Sequence, residues 1–419
     1  METIQSDELL LLQTKPKPKP KLKFKLTLKK IPSDDPRTKH KFKLILKKIP
    51  VDESKIKIKL TLKTKIVIKL KDQYPPSSNY PLEKEEHYLR QFLENLKSSS
   101  QKGKEKECVH YKRFTISPLR YAGGKSQAVG LILEHLPKLT HKRIVSPFFG
   151  GGSVELCLSQ MLGFEVIGYD IFEMLTNFWN VLIHQKDQFL TELKKLIVSP
   201  EEFTKNRHIL LSYWDHVKPP DLIYRTQKKV DLTETEKTLL WDDRVLQAVY
   251  YYYNMSLCYG PMFLGWPSKV EIDALKFKRR LEKLTNVNLV NLSVQCLDFK
   301  ESIPKHIDDF LFLDPPYYLG PDSTMFKGMY PNTNFAIHHN NFDHELLRDL
   351  LRNHRGGFLM TYNDCPTLRE WYKDYHQVFP EWQYTYGQGE IRISINRLSG
   401  DGTYIKQSHE MFIICPSKI

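Results

Sequence analysis

Residues 111–419 predict an α/β domain with a largely parallel sheet and a mainly helical insertion. Three observations carry that expectation. Short apolar runs alternate with amphipathic stretches of helical period, the pattern that parallel strands joined by crossover helices produce. Two of the runs lead straight into Gly-rich or Pro-rich segments, at the strand ends where open α/β sheets bind ligands. Residues 185–291, between the second and third strands, form a connection far longer than a crossover needs.

Taken from the N-terminus, the first feature is a degenerate repeat: KLKFKLTLKKIP at Lys21–Pro32, KHKFKLILKKIP at Lys39–Pro50 and KIKIKLTLKTK at Lys55–Lys65. Its alternation of Lys with Leu, Ile or Phe is strand periodicity, yet three units are too few for a self-sufficient solenoid. Residues 1–73 are therefore read as a basic low-complexity tail. Residues 74–110 hold Pro-Pro-Ser-Ser, a charged helical patch at Leu82–Leu96 and a Ser-rich run, and read as a linker with a short helix. Strands are expected at Arg143–Ser146, Glu165–Tyr169, Ser293–Cys296, Phe310–Leu313, Gly357–Thr361 and Met411–Cys415. Helical spacing of apolar residues places helices at Ser153–Leu162, Phe172–His184, Phe342–Asn353 and Thr367–Asp374. The main domain then comprises 111–184 and 292–419, interrupted by the insertion 185–291.

Composition limits the function. The net charge is +14, but residues 15–71 alone carry 21 Lys/Arg against 4 Asp/Glu, so the rest of the chain is slightly acidic. Attraction to polyanions is thus a property of the tail, by phosphate neutralisation without sequence reading. The body has to be judged on its own residues. Six scattered cysteines form no C-x-x-C pair and no His cluster accompanies them, which predicts free thiols and no metal site. No apolar stretch has the length of a membrane span, and Leu9–Leu12 is too short for a signal-peptide core, so a soluble intracellular protein is expected.

The chemistry lies in four segments. Asp314-Pro315-Pro316-Tyr317 follows the apolar run Phe310–Leu313. Two successive prolines stiffen the backbone and remove its amide donors, leaving carbonyls to face a ligand. A planar exocyclic amine would donate one N–H to the Asp314 carboxylate and the other to the Pro315 carbonyl, which frees the nitrogen lone pair, while Tyr317 offers a stacking face. As an isolated string, DPPY could also be a strand-terminating turn. Pro147-Phe148-Phe149-Gly150-Gly151-Gly152 likewise links a strand to a helix, and its glycines permit close backbone approach to a nucleoside or amino-acid ligand. It lacks the G-x-G-x-x-G spacing and the Lys-Ser/Thr of phosphate-gripping loops. Asp170 ends the next strand, where a carboxylate can take ribose hydroxyls or cap the following helix. Finally, Tyr121-Ala122-Gly123-Gly124-Lys125 is either a loop leading to a helix or a turn whose Lys meets a ligand carboxylate.

In this order, the four segments closely resemble the DNA adenine methylase (Dam) family, over roughly residue 111 to the C-terminus. The resemblance implies a Rossmann-like methyltransferase sheet, S-adenosyl-L-methionine as donor and adenine N6 in double-stranded DNA as acceptor, the base swung out of the duplex. It also implies that Tyr121, Lys125, Pro147, Phe149, Gly150, Gly151, Gly152 and Asp170 contact the cofactor, and that Asp298-Phe299 supplies an aromatic contact to its adenine. Phe342-Asp343-His344, Met360–Asp364 and Ser408–Ile414 are further matches. The insertion corresponds to a target-recognition subdomain. Where GATC-methylating relatives carry an Arg/Asn-rich hairpin, however, this chain has Pro261-Met262-Phe263-Leu264-Gly265-Trp266-Pro267, which leaves the target sequence open. Lys269, Lys276, Lys278, Arg279 and Arg280 either hold phosphates or form a solvated helix face. A cognate restriction nuclease is a candidate partner. RNA adenine methylation and a catalytically silent nucleic-acid-binding relative remain the alternatives.

Overall fold

The computed structural model describes residues 24–30, 42–48, 82–97, 111–139, 141–217, 233, 240, 242–260, 263–323, 342–380 and 410–418. The third repeat, Cys108, Pro261-Met262 and Ser408-His409 lie outside the described residues. The chain divides into two units, Met1–Gln73 and Tyr74–Ile419. In the first, β1 (Phe24–Lys30) and β2 (Phe42–Lys48) pair antiparallel, with Leu26 opposite Leu46 and Leu28 opposite Leu44. The first two repeats thus each contribute one strand, as their alternation of residue types favours.

The second unit starts with α1 (Leu82–Leu96) and α2 (Val129–Glu134). The first part of the sheet follows as β3 (Arg143–Ser146), α3 (Ser153–Met161), β4 (Glu165–Asp170) and α4 (Glu173–His184). The insertion contributes α5 (Lys186–Leu193), α6 (Pro200–Val217), α7 (Arg244–Leu257) and α8 (Ala274–Asn286). The chain then returns through β5 (Leu292–Cys296), α9 (Phe299–Lys305), β6 (Phe310–Leu313), α10 (His344–Asn353), β7 (Phe358–Asn363), α11 (Pro366–Trp371), β8 (His376–Val378) and β9 (Glu410–Cys415).

These strands form one seven-stranded sheet in the order β5-β4-β3-β6-β7-β9-β8. From β5 to β7 neighbours are parallel, and β9 runs antiparallel to both β7 and β8. The chain leaves β3 towards one edge and returns to pair β6 on its other side, so the order reverses between β3 and β6. That is a topological switch point, where the carboxyl ends of adjacent strands open a cleft. Both faces of the sheet are covered. Phe310 and Phe312 join a core with Ile144, Val166 and Leu359, whereas Leu311 and Leu313 join a second with Val145, Met360 and Ile413. A strand buried on both faces reads as a continuous apolar run, as Phe-Leu-Phe-Leu does.

Departures from the expected boundaries have local causes. Gly357 has φ +79°, so the strand begins one residue later, at Phe358. The Asp343 carboxylate accepts from Leu346 N at 2.9 Å and starts α10 at His344 rather than at Phe342. Helix α9 escaped the periodicity because it is seven residues long and contains Pro304. The insertion is not a separate body: Phe178 of α4 stacks on Tyr252 of α7 at 5.5 Å, and Phe189 of α5 meets both rings at 5.9 Å. The helix α1, expected in a linker, packs Phe92 edge-on against Phe114 at 5.8 Å within the same core. Truncating Phe92 to Ala is expected to cost about 3 kcal/mol in urea unfolding, as for other buried Phe positions, whereas a true linker residue would cost nothing measurable. Among the described residues, no helix is long and apolar enough to cross a membrane.

Candidate active site

The Tyr121–Lys125 turn crosses the switch point and joins the two strand ends. Gly123 takes φ +75°, a left-handed turn conformation, and Gly124 N donates to Tyr121 O at 3.3 Å. Lys125, 5% exposed, is thereby aimed at the end of β6. Its Nζ lies 2.7 and 2.8 Å from the two Asp314 carboxylate oxygens and 3.2 Å from Gly123 O. The Thr361 hydroxyl, at the end of β7, donates to Asp314 Oδ1 at 2.8 Å. A carboxylate offers about four lone-pair positions. Two taken by Lys125 and one by Thr361 leave one acceptor direction for an incoming N–H. Lys125 thus meets the Asp314 carboxylate at the end of β6.

The remainder of the DPPY segment is held by its neighbours. Tyr317 is only 4% exposed. The Lys125 ammonium sits 5.1 Å from its ring centroid, and Tyr362 packs edge-on at 6.3 Å. The stacking face expected of Tyr317 is therefore covered in this state. Asn363, fully buried, clamps the next residue on both sides of its peptide: its Oδ1 accepts from Tyr318 N at 2.8 Å and its Nδ2 donates to Tyr318 O at 3.0 Å. Thr361 and Asn363 lie in a strand end singled out in the sequence without assigned roles. Their alternate positions on β7 put both beside the parallel neighbour β6, and that adjacency is what one sequence does not reveal.

On the β3 side, the glycines do allow close approach, and Tyr121 makes it. A Cβ on Gly151 would come 2.7 Å from Tyr121 Cβ, and one on Gly150 2.9 Å from Tyr121 Cε1. Phe149 points the other way. It is buried in the core, edge-on to Trp179 at 5.3 Å, and a Cβ on Gly152 or Gly168 would strike its ring. Phe149 therefore shapes the wall from behind, and Pro147 is likewise buried. Its neighbour Phe148 turns outward instead, 5.7 Å from Phe299, and both meet Phe342, at 5.6 and 4.9 Å.

Asp170 binds two backbone amides of the adjoining turns. Oδ2 accepts from Gly150 N and Oδ1 from Phe172 N, each at 3.0 Å, pinning the glycine loop to the end of β4 and turning the chain into α4. Burial raises its pKa and those backbone donors oppose the rise. The same count of lone pairs leaves two for ligand hydroxyls. Asp298 caps α9 by accepting from Lys300 N at 3.0 Å. Beyond Asp170, Ile171 is 47% exposed at the rim, an apolar contact the sequence reading passed over. A nucleoside with an attached amino acid fits this set in part: carboxylates at the ends of β4 and β5 for hydroxyls and exposed Ile171 for an aromatic base, with Phe299 buried behind Phe148 and Phe342.

Two buried acids flank the centre. Burial pushes Glu155 up to about 8, a rise that its hydrogen bond from Ser146 Oγ at 2.7 Å opposes and the nearby Asp314 charge reinforces. Glu410, the first residue of β9, is also pushed up to about 8 by burial. Each binds a proton in the folded state over the interval from its ordinary value of 4.5 to about 8 in which the unfolded chain has released it. Unfolding free energy therefore falls as pH rises through that interval, by about 1.4 kcal/mol per pH unit for each group. Urea unfolding between pH 5 and 9 is expected to show this slope, and Glu155→Gln to halve it. A Glu155→Gln curve parallel to that of the wild type contradicts the assignment.

The cationic cluster of the insertion divides. Arg280 pairs with Glu271, and Lys276 Nζ donates to Val270 O at 2.8 Å, whereas Lys278 and Arg279 are exposed. Among the described residues, no group of three or more His, Cys, Asp or Glu gathers as metal ligands.

Comparison with known proteins agrees with this geometry. The model of the D12 class N6 adenine-specific DNA methyltransferase family matches residues 121–386, from the tyrosine on the glycine loop to beyond β8. The Type II methyltransferase M.MjaIII of Methanocaldococcus jannaschii is 27% identical over 213 residues, covering 48% of this chain and 68% of that protein.

Proposed function

Because the chain belongs to the D12 class N6 adenine-specific DNA methyltransferases, we propose that it takes its methyl group from S-adenosylmethionine and transfers it to an adenine swung out of duplex DNA and gripped by Asp314 and Pro315. The enzyme methylates adenine N6 in DNA. The observation that carries the finer reading is the Asp314 carboxylate, fixed by Lys125 and Thr361 at the switch point, with one acceptor direction left over.

When bound, S-adenosylmethionine supplies an electrophilic methyl group on a sulfonium. This chain's residues do the rest. Asp170 and Asp298 receive hydroxyls, Ile171 flanks the aromatic base, and the Tyr121-covered glycine loop positions the amino-acid end. Asp314 and the Pro315 carbonyl each accept one N–H of the amine, which draws electron density back onto nitrogen and points its lone pair across the cleft. Swinging the base out costs a few kcal/mol of stacking and pairing, which contacts from the insertion and from Lys278 and Arg279 offset. The basic repeats of the first unit add non-specific affinity for the polyanion.

The test is incubation of the full chain with methyl-labelled S-adenosylmethionine and either duplex DNA or RNA. Label in DNA alone is the expected result. Label in RNA alone, or cofactor binding without transfer to either polymer, overturns the reading.

A further inference from the structure

Residues 117–120 run straight into the turn whose Lys125 holds Asp314, and the insertion grips them at three places. Lys283 of α8 donates from Nζ to Ser117 O. The hydroxyl of buried Tyr252, on α7, donates to Pro118 O at 3.5 Å. Arg120 then reaches the other way. Its Nη1 donates to Ser256 O at 3.0 Å and to Cys258 O at 3.3 Å, and lies 3.7 Å from the Glu271 carboxylate, which Arg280 of α8 also binds. The side chains of Arg120, Glu271 and Arg280 are 19, 17 and 17% exposed, so salt screens these ties far less than it screens surface pairs.

The two carbonyls that Arg120 binds close the carboxyl end of α7, where the last C=O groups have no partner within the helix. A guanidinium there satisfies them and meets the negative end of the helix dipole. Cys258 also begins the turn that presents exposed aromatic surface: it bridges to Pro267, Tyr259 N donates to Trp266 O at 2.6 Å, and Tyr259 and Trp266 are 70 and 65% exposed. Just past the end of that turn, Glu271 N donates to Ser268 O at 3.2 Å. Arg120 therefore holds both ends of it. Five residues further along its own chain stands Lys125, in a turn closed by Gly124 N on Tyr121 O. A slack linker would absorb a shift of the insertion. A peptide gripped at Ser117, Pro118 and Arg120 passes it on.

We propose that Arg120 is a positioning residue for methyl transfer, tying the seat of the insertion on the duplex to the direction in which Lys125 holds the Asp314 carboxylate. In this role it touches neither the base nor the cofactor. Affinity for a duplex comes largely from phosphate contacts spread over many residues, so the loss of one internal tie leaves it nearly intact. The rate is more sensitive, because a misplacement of about 1 Å at the reacting groups costs on the order of a hundredfold. The inference rests on the reading that Asp314 grips the amine of an adenine in DNA.

The test compares the full chain as wild type, Arg120→Met, Arg120→Lys and Glu271→Gln. Single-turnover methyl transfer at saturating unmethylated duplex DNA and S-adenosylmethionine is measured beside both equilibrium affinities and the melting temperature. Met keeps most of the side-chain length and removes its donors and its charge. It is expected to slow transfer by about tenfold or more, with both affinities within about threefold of wild type. Lys keeps the charge and recovers part of the rate. Glu271→Gln leaves the carbonyl bonds of Arg120 in place and is expected to lose about threefold, the weight of one loosely formed ion pair, with the same split. A Met variant with the wild-type rate at saturation overturns the inference, whether or not its duplex affinity has fallen. Parallel loss of rate, both affinities and melting temperature assigns Arg120 a structural role only and overturns it as well. Should Arg120→Met fail to fold, Glu271→Gln at the wild-type rate overturns it equally. Asp314→Asn separates the two levels: if it retains turnover, the reading of the site itself fails, whereas an inactive Asp314→Asn beside an unaffected Arg120→Met removes the positioning role alone.

Discussion

Asp314→Asn is expected to reduce methyl transfer by at least about a thousandfold while leaving cofactor affinity within a few-fold of wild type. Two effects combine. An amide oxygen is a weaker acceptor than a carboxylate, roughly halving the strength of the bond to the amine, and the amide nitrogen adds donors that repel an incoming N–H. The Lys125 ammonium, almost fully buried and held by both Asp314 oxygens, also loses its counter-charge. Removing one partner of a buried pair costs about 3–5 kcal/mol, so Asp314→Ala would confuse lost catalysis with lost stability. Asn keeps the volume and one acceptor, which makes it the cleaner probe. Equilibrium binding of labelled S-adenosylmethionine beside a transfer assay checks the split. Loss of binding in step with loss of rate contradicts the placement of Asp314 on the acceptor side.

Gly151→Ala is expected to do the reverse, weakening cofactor binding by about tenfold or more while duplex binding holds. The added Cβ would come 2.7 Å from Tyr121 Cβ, closer than real Cβ contacts allow, and a tight 3.2 Å from its Cγ. The near atoms sit at the base of the side chain, where rotation about the Cα–Cβ bond gives little relief, so the turn carrying Gly123 and Lys125 has to move as well. About 1.4 kcal/mol of displaced contact corresponds to that tenfold change. Isothermal titration with the cofactor and a filter assay with DNA distinguish this from general unfolding. Parallel loss of both affinities would assign Gly151 a structural role only.

Most of the sheet was legible in the sequence because its strands are buried on both faces, which turns Phe310–Leu313 and Met411–Cys415 into uninterrupted apolar runs. The DPPY and Gly-rich segments were legible for the same reason, since each directly follows such a run. The pairing across the switch point was not. That Lys125 meets Asp314, 189 positions away, follows from β3 and β6 being sheet neighbours, and the strand order is a property of the whole chain. Periodicity was equally silent on Glu410, a charged residue at the head of an apolar strand that reads as an exposed strand end until β7 and the Lys125 turn are seen to enclose it. Phe148 and Phe149 are adjacent and of one type, so sequence could not decide which faces the cleft. The structure turns Phe148 towards Phe299 and buries Phe149 against Trp179. The helix α1 looked like linker because charged residues dominate it, while Phe92 ties it to the core.

The most direct measurement is a structure of the full chain bound to a non-reactive cofactor analogue and to the duplex it methylates. The target adenine is expected out of the stack, with N6 about 3 Å from both the Asp314 carboxylate and the Pro315 carbonyl and the analogue against the Tyr121-covered glycine loop. An adenine seated away from Asp314, or an analogue bound anywhere but between the ends of β3 and β6, would contradict the account.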